Sequence, residues 1–167
     1  NLANDYQRFY LHYDLGMDLD SIGKSTAVSM IVTFVLGYWI GSIADKLKPV
    51  RLMAPTFLFW ALTNVGSFLF IHDATSYVVW YTLSQIAILS NGVLYGAFAA
   101  MMFPREKFGQ FCSANATASG LVCTTIKIFV GMLFDYIPYR FCFMWSAVFE
   151  FLGALAFIQV AKNWEKR

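Results

Sequence analysis

Long apolar runs alternate with short charged turns along this chain, and the alternation predicts its fold. Ser25 to Ala44 contains no formally charged residue, and neither does Ala74 to Pro104. A helix rises about 1.5 Å per residue, so about 20 apolar residues cross the ~30 Å hydrocarbon core of a bilayer. We predict an all-α, polytopic membrane helix bundle with five transmembrane helices. They are expected at about residues 25–44, 52–71, 76–103, 108–134 and 140–161.

Residues 1–24 differ from the rest because they are more polar and rich in aspartate. Their aromatic residues are Tyr6, Phe9, Tyr10 and Tyr13. Tyrosine rings settle at the level of lipid headgroups. We therefore expect an extracytoplasmic loop and an interfacial lead-in over residues 1–24, followed by a five-helix transmembrane domain over 25–167.

The basic residues favour one orientation of the predicted bundle. If five helices alternate in direction, one side carries eight basic residues: Lys46, Lys48, Arg51, Arg105, Lys107, Lys162, Lys166 and Arg167. The other side carries fewer basic residues and most of the acids: Arg8, Lys24 and Arg140, with Asp5, Asp14, Asp18, Asp20, Asp73 and Asp135. Lysine and arginine prefer the cytoplasmic side. The loops at 45–51 and 104–107 and the C-terminal tail are therefore predicted to be cytoplasmic, in an inner or plasma membrane.

Composition argues against several other classes of protein. Apolar residues make up 59% of the chain and charged residues 13%, against roughly 25% charged in an average soluble domain. The net charge of +2 and the lack of a basic patch argue against a nucleic-acid partner. Cys112, Cys123 and Cys142 lack CxxC spacing and a nearby histidine, so we predict no metal site. No Ser/His, paired-Asp or HExxH arrangement occurs within the predicted spans, so we expect neither an enzyme nor a cofactor.

One charged segment resembles a known motif. It runs Gly41-Ser42-Ile43-Ala44-Asp45-Lys46-Leu47-Lys48-Pro49-Val50-Arg51 between the first two predicted spans. The spacing of glycine, aspartate and a following basic residue resembles the signature loop of the major facilitator superfamily of secondary transporters. Lys48 departs from that pattern, since the family usually has a second glycine there. The resemblance implies that Gly41, Asp45, Lys46 and Arg51 form a gating motif that biases inward-closed against inward-open states. The alternative is that these basic residues only keep the loop cytoplasmic.

Over its whole length the chain resembles one half of such a transporter, without the first helix of that half. We favour the C-terminal half. Its basic tail is typical of a cytoplasmic terminus, and the third predicted span lacks the arginine often found in N-terminal halves. The missing remainder of the transporter would then be a partner of this chain, together with the lipid bilayer.

A second group of residues echoes the motif. Gly131 and Asp135 repeat the spacing of Gly41 and Asp45, and Arg140 follows them. Inverted three-helix repeats would place two such related helix ends on opposite faces of the membrane. The alternative is a chance match.

The resemblance implies a secondary active transporter that moves a small hydrophilic solute, such as a sugar or an organic anion, by alternating access. The coupling ion would be a proton or sodium, which would make the protein a symporter. The alternative is a non-transporting helical membrane scaffold or a receptor fragment.

Lys127 and Glu150 are the charged residues well inside the predicted spans, and such residues usually face a cavity or a partner. Lys127 continues a polar stripe on its helix, so we expect it to bind the solute or a coupling cation. The structural alternatives are that Lys127 snorkels outward or pairs with Glu150. For Glu150 we favour a structural contact over proton coupling.

Polar residues on roughly one face of the third predicted span are further candidates for solute contact: Tyr81, Gln85, Asn91 and Tyr95. Amide and phenol groups suit the hydroxyl groups of a sugar. The alternative is that they form hydrogen bonds between helices.

Overall fold

The structure, a computed structural model, describes the backbone of residues 2–46 and 49–164 and the side chains of residues 4–42 and 49–164. Within these ranges it contains helices and no strand. The six helices are α1 (Leu2–Phe9), α2 (Leu19–Lys46), α3 (Pro49–Phe70), α4 (Ala74–Met102), α5 (Phe108–Leu133) and α6 (Phe141–Trp164). A π-helical turn, Tyr10–Asp14, continues α1, and a 3₁₀ turn, Arg105–Lys107, precedes α5.

Five of these helices, α2 to α6, are long and apolar enough to cross a membrane. Many of their large apolar side chains lie on the outside of the bundle, as at Phe34 (84% exposed) and Phe129 (68% exposed). Such an apolar surface would favour aggregation in water but suits contact with lipid. The predicted all-α membrane bundle with five transmembrane helices is confirmed.

The polar N-terminal segment is helical, whereas we predicted a loop and an interfacial lead-in. Residues 2–14 are helical and pack into the bundle, with Gln7, Tyr10 and Leu11 almost completely buried. Tyr10 Oη donates a hydrogen bond to the carbonyl oxygen of Ile71 (2.9 Å), and burial raises the pKa of Tyr10. Of the aromatic residues that we assigned to the membrane interface, Tyr6 and Tyr10 pack into the bundle, whereas Phe9 and Tyr13 are exposed.

Short turns and caps separate the first helices. Gly16, with φ of 66°, takes the left-handed conformation between the π-helical turn and α2. Asp73 begins α4 with a capping box: its carboxylate accepts from the backbone N–H of Ser76 (2.7 Å), and the Ser76 hydroxyl accepts from the N–H of Asp73. The hydrogen bond from the backbone N–H of Ser76 and, to a smaller extent, the one from its hydroxyl group lower the pKa of Asp73.

Hydrogen bonds between side chains define the register of the helices. Ser84 Oγ of α4 donates to Thr63 Oγ1 of α3 (3.2 Å). Two turns towards the start of α3 and two turns towards the end of α4, Thr56 Oγ1 donates to Asn91 Oδ1 (3.2 Å), so α3 and α4 run antiparallel. Thr26 Oγ1 of α2 lies 3.2 Å from Tyr77 Oη near the start of α4, so α2 and α4 run parallel.

The helix pairs follow the symmetry expected of two three-helix units. Exchanging the two units replaces α1 by α4, α2 by α5 and α3 by α6, and the reverse. The α2–α4 pair then becomes α5–α1, and the α3–α4 pair becomes α6–α1. The α3–α6 pair becomes itself. All of these pairs are in contact: α5–α1 through Asp5 and Lys127, and the others through broader packing. The α5–α1 contact is much smaller than its counterpart α2–α4, so the relation of the two units as inverted three-helix repeats stays a prediction.

Because successive helices alternate in direction, the described basic residues of the predicted cytoplasmic side share one end of the bundle. Arg51 lies in the first turn of α3, Arg105 and Lys107 lie in the 3₁₀ turn, and Lys162 lies in the last turn of α6. The side chains of Lys46, Lys48, Lys166 and Arg167 lie outside the described residues. At the opposite end are α1 and the turns at 71–73 and 134–140.

Candidate polar solute site

A polar pocket of about 350 Å³ lies where α1, α2 and α4 meet. Its lining consists of Asn4, Asp5 and Arg8 from α1, Met30 from α2, and Tyr81 and Gln85 from α4. Asn4 and Asp5 are adjacent, and Arg8 lies one turn of helix beyond both, so the three α1 residues fall on one side of the helix. Gln85 Nε2 lies 3.5 Å from Asn4 Oδ1 and so links α4 to α1. Two of the four residues expected to contact solute on α4, Tyr81 and Gln85, therefore line this pocket.

Lys127 of α5 does not line the pocket itself but forms an ion pair with one of its lining residues, Asp5. Its Nζ lies 2.8 Å from Asp5 Oδ2, and the two side chains are 39% and 45% exposed. Lys127 pairs with Asp5 and not with Glu150, whose described partner is Asn64. The role of Lys127 in binding a solute or a coupling cation stays a prediction. A half-exposed ammonium group keeps room for a ligand beside its partner.

Gly131 has a packing role next to this ion pair. Tyr6 Oη of α1 donates to the carbonyl oxygen of Lys127 (3.0 Å). A Cβ atom at Gly131, one turn further along α5, would come within 3.1 Å of Tyr6 Oη. Gly131 therefore lets the tyrosine approach the backbone of α5, and α1 docks on α5 by two separate contacts.

The pocket carries a positive formal charge. Asp5 contributes one negative charge, while Arg8 and Lys127 contribute two positive charges. Asp5 pairs with Lys127, and among the described residues Arg8 takes part in no salt bridge. Amide and phenol groups surround the charges. Such a set can bind an anionic group at Arg8 and hydroxyl or carbonyl groups at Asn4, Tyr81 and Gln85.

Glu150 lies elsewhere, in the interior between α3 and α6. Its side chain is only 6% exposed, and Asn64 Nδ2 of α3 donates to its Oε2 (2.6 Å). Glu150 and Ser146 also line a mostly apolar pocket of about 400 Å³ between α3, α5 and α6. The hydrogen bond to Asn64 is a structural contact of the kind that we favoured for Glu150.

The remaining two polar residues of the predicted α4 face lie outside the polar pocket. Asn91 is buried and bonds to Thr56 of α3, so it links two helices. Tyr95 Oη accepts a hydrogen bond from Asn115 Nδ2 of α5 (2.7 Å) near the other end of the bundle. These contacts correspond to the alternative of interhelical hydrogen bonding.

Only part of the predicted gating motif can be located. Gly41 lies near the end of α2, where an added Cβ would meet no atom within 4 Å among the described residues. Arg51 is exposed in the first turn of α3. The side chains of Asp45 and Lys46 lie outside the described residues, so the motif stays a prediction.

The residues of the second motif-like group, Gly131, Asp135 and Arg140, have different surroundings. Arg140 Nε donates to the carbonyl oxygen of Phe68 (2.6 Å), and its guanidinium group lies 4.8 Å from the centre of the Phe68 ring. Arg140 thus caps the C-terminus of α3, where a cation is favourable. Asp135 is exposed just beyond α5. The repeat relation of Gly131, Asp135 and Arg140 to the motif stays a prediction.

Sequence reasoning missed the contribution of α1: Asn4, Asp5 and Arg8. A usable signal was present. Tyr6, Phe9, Tyr10 and Tyr13 follow the three- and four-residue spacing of a helix, and Arg8 follows Asp5 and Asn4 at the same spacing. The segment was too short to predict as a span, and its aromatic residues suggested a headgroup location instead.

Comparison with known families agrees with this architecture. The family model of the Major Facilitator Superfamily matches residues 7–166, which include all five membrane-length helices. No curated protein and no solved structure gives a match. The resemblance noted at the charged turn after α2 is therefore confirmed over nearly the whole sequence. The chain belongs to the Major Facilitator Superfamily, a family of membrane transporters rather than enzymes.

Proposed function

We propose that this chain is part of a secondary active transporter that moves a small organic anion by alternating access, and that the solute binds in the pocket at Asn4, Asp5, Arg8, Tyr81 and Gln85. The observation that carries the proposal is the pairing of a polar pocket with three charged groups whose formal charges sum to +1. Charged groups at membrane depth are costly to insert and usually serve a solute or ion path.

The position of the pocket supports this assignment. It is formed by α1, α2 and α4, with Lys127 of α5 beside it, whereas α3 and α6 pack against each other and hold Glu150 away from it. A solute bound there would contact helices from both three-helix units. Movement of one unit relative to the other would then change the shape of the site, as alternating access requires.

A sugar is the second candidate solute. Asn4, Gln85 and Tyr81 offer amide and phenol groups that can bond hydroxyls, and a neutral solute would leave the Asp5–Lys127 ion pair intact. The positive charge of the pocket favours the anion.

We also propose a topology and a larger assembly. The loops at 45–51 and 104–107 and the C-terminal tail face the cytoplasm of an inner or plasma membrane, since basic residues gather at that end. The chain corresponds to a C-terminal half, with α1 as the end of its first helix, and residues 25–167 as its main transmembrane domain. The other half of the transporter completes the cavity, and a proton or sodium gradient drives transport.

Uptake by the full-length protein in proteoliposomes tests the transport function. We would compare radiolabelled L-lactate, succinate and D-glucose, with and without gradients of protons and of sodium. An anion accumulated against its gradient supports the proposal. Glucose accumulation without anion uptake would identify the second candidate, and the lack of any uptake would favour a non-transporting scaffold.

The Arg8→Gln variant tests the site, because Arg8 lines the pocket and is the residue expected to bind the anionic group. A hydrogen bond to a charged group contributes about 1.5–3 kcal/mol, which corresponds to roughly a 10- to 100-fold loss of anion affinity. Lys24→Gln is the matched control, since Lys24 forms an exposed ion pair with Asp20 away from the pocket lining. Normal anion uptake by Arg8→Gln would remove Arg8 from the site.

A further inference from the structure

We propose that Asp5 is an internal counter-ion that competes with the solute for Lys127 and so limits the solute to one negative charge. The inference rests on the proposed function, because it concerns the same pocket. It is carried by the Asp5–Lys127 ion pair, in which Lys127 Nζ and Asp5 Oδ2 are 2.8 Å apart.

The ion pair is accessible enough for a solute to compete with it. Both side chains are more than a third exposed, so water weakens their attraction and a solute carboxylate can approach. Arg8 lies on the same side of α1 as Asp5, one turn away, and lines the same pocket. One solute carboxylate can therefore bind Arg8 while Asp5 continues to occupy Lys127.

The charges around the pocket explain why a second carboxylate is disfavoured. On α1 the facing charges are Asp5 and Arg8, and on α5 the facing charge is Lys127. The residues that α2 and α4 contribute to the lining, Met30, Tyr81 and Gln85, are uncharged at neutral pH. The second carboxylate of a dianion would have to displace Asp5 from Lys127 or lie beside the Asp5 carboxylate. Two negative charges so close together repel each other.

The position of α1 does not depend on the Asp5 carboxylate alone. Tyr6 donates independently to the carbonyl oxygen of Lys127, and Tyr10 donates to the carbonyl oxygen of Ile71. Gln7 and Leu11 are buried against the bundle. An Asp5→Asn variant should therefore keep α1 docked and change mainly the charge of the pocket.

Anion binding to the purified full-length protein tests the inference. L-Lactate and succinate, as choline salts at constant ionic strength, would be titrated while the unfolding temperature is followed, because a ligand that binds the folded state stabilises it in proportion to ln(1 + [L]/Kd). We expect the wild-type protein to bind lactate more tightly than succinate. Asp5→Asn should shift the ratio of the two affinities towards succinate by on the order of tenfold, since it removes a like charge and frees Lys127.

Two variants separate this inference from its alternatives. Asp14→Asn makes the same chemical change at an exposed position outside the pocket lining and should leave the ratio unchanged. Adding Lys127→Gln to Asp5→Asn should abolish the gain in succinate affinity. Equal wild-type affinity for the two anions, or an unchanged ratio in Asp5→Asn, would overturn the role of Asp5 while leaving an anion site in place. If neither anion stabilises the wild type or Asp5→Asn, the anion site itself fails.

Discussion

Gly66 of α3 packs directly against the Trp80 ring of α4, and the Gly66→Ala variant tests the packing of the bundle. A Cβ atom at Gly66 would lie 2.6 Å from Cε3 of Trp80 and would overlap Cζ3 and Cη2 of the same ring. These separations are far below van der Waals contact. The ring has little freedom to move away, because it stacks on Phe70 with 5.5 Å between the ring centres and 9° between the planes.

The magnitude follows from two opposing effects. Replacing glycine by alanine inside a helix usually stabilises by roughly 0.5–1 kcal/mol, because the unfolded chain loses freedom. Forcing extra atoms into a well-packed interior costs about 1–3 kcal/mol, and more when the neighbouring group is rigid. The indole ring of Trp80 is such a group, so the clash outweighs the gain. The difference of these two ranges is about 0–2.5 kcal/mol. Because the overlap with the ring is severe, we expect Gly66→Ala to fall in the upper part of that range, at about 1–2 kcal/mol of net destabilisation.

Thermal unfolding of the purified protein in detergent, followed by loss of the monodisperse chromatographic peak, measures this effect. Gly92→Ala is the matched control, since its Cβ meets no atom within 4 Å and the same residue change should be neutral or slightly stabilising. Replacing Trp80 by leucine removes the obstructing ring, so Gly66→Ala should cost little in that background. An unfolding temperature of Gly66→Ala equal to that of the control would show that α3 and α4 do not approach as described.

Two further predictions concern the buried carboxylate and the cap of α4. Glu150→Ala should lower the unfolding temperature more than Glu150→Gln, because only glutamine keeps an acceptor for Asn64. If the pH profile of uptake by Glu150→Gln differs from that of the wild type, the structural role of Glu150 is contradicted. Asp73 has a pKa below its ordinary value of 3.8, so its cap stabilises the folded state above that pH and is lost as pH falls through the lowered pKa. Melting of Asp73→Asn should therefore depend less on pH in this acid range than melting of the wild type.

The interior of the bundle separates polar groups into two kinds. Thr63 with Ser84, Thr56 with Asn91, and Asn64 with Glu150 are hydrogen-bonded pairs that join α3 to its neighbours. At the polar pocket, the side chains of Asp5 and Lys127 instead remain partly exposed and carry charge. A polar group in hydrocarbon must find a partner within the protein, so the first kind is expected in any membrane bundle. The second kind is the basis of the proposed solute site.

The number and type of the long helices could be read from the sequence. Uncharged runs of membrane length, separated by turns with lysine, arginine or aspartate, leave helices as the available structure, because a helix satisfies its backbone hydrogen bonds internally. The motif from Gly41 to Arg51 also indicated the family, which the match over residues 7–166 confirmed. Both conclusions depend on local composition and spacing.

Only the tertiary structure decided which polar residues meet. On sequence alone, Lys127 and Glu150 were equivalent as charged residues inside spans, and pairing between them was an open alternative. The packing places Lys127 beside Asp5, which is far away in sequence, and Glu150 beside Asn64. Likewise, Tyr81 and Gln85 face a pocket while Asn91 faces α3, although all three lie on roughly one face of α4. Helical periodicity determines which face a residue occupies, but the partner of that face depends on contacts between distant segments, and no local pattern encodes them.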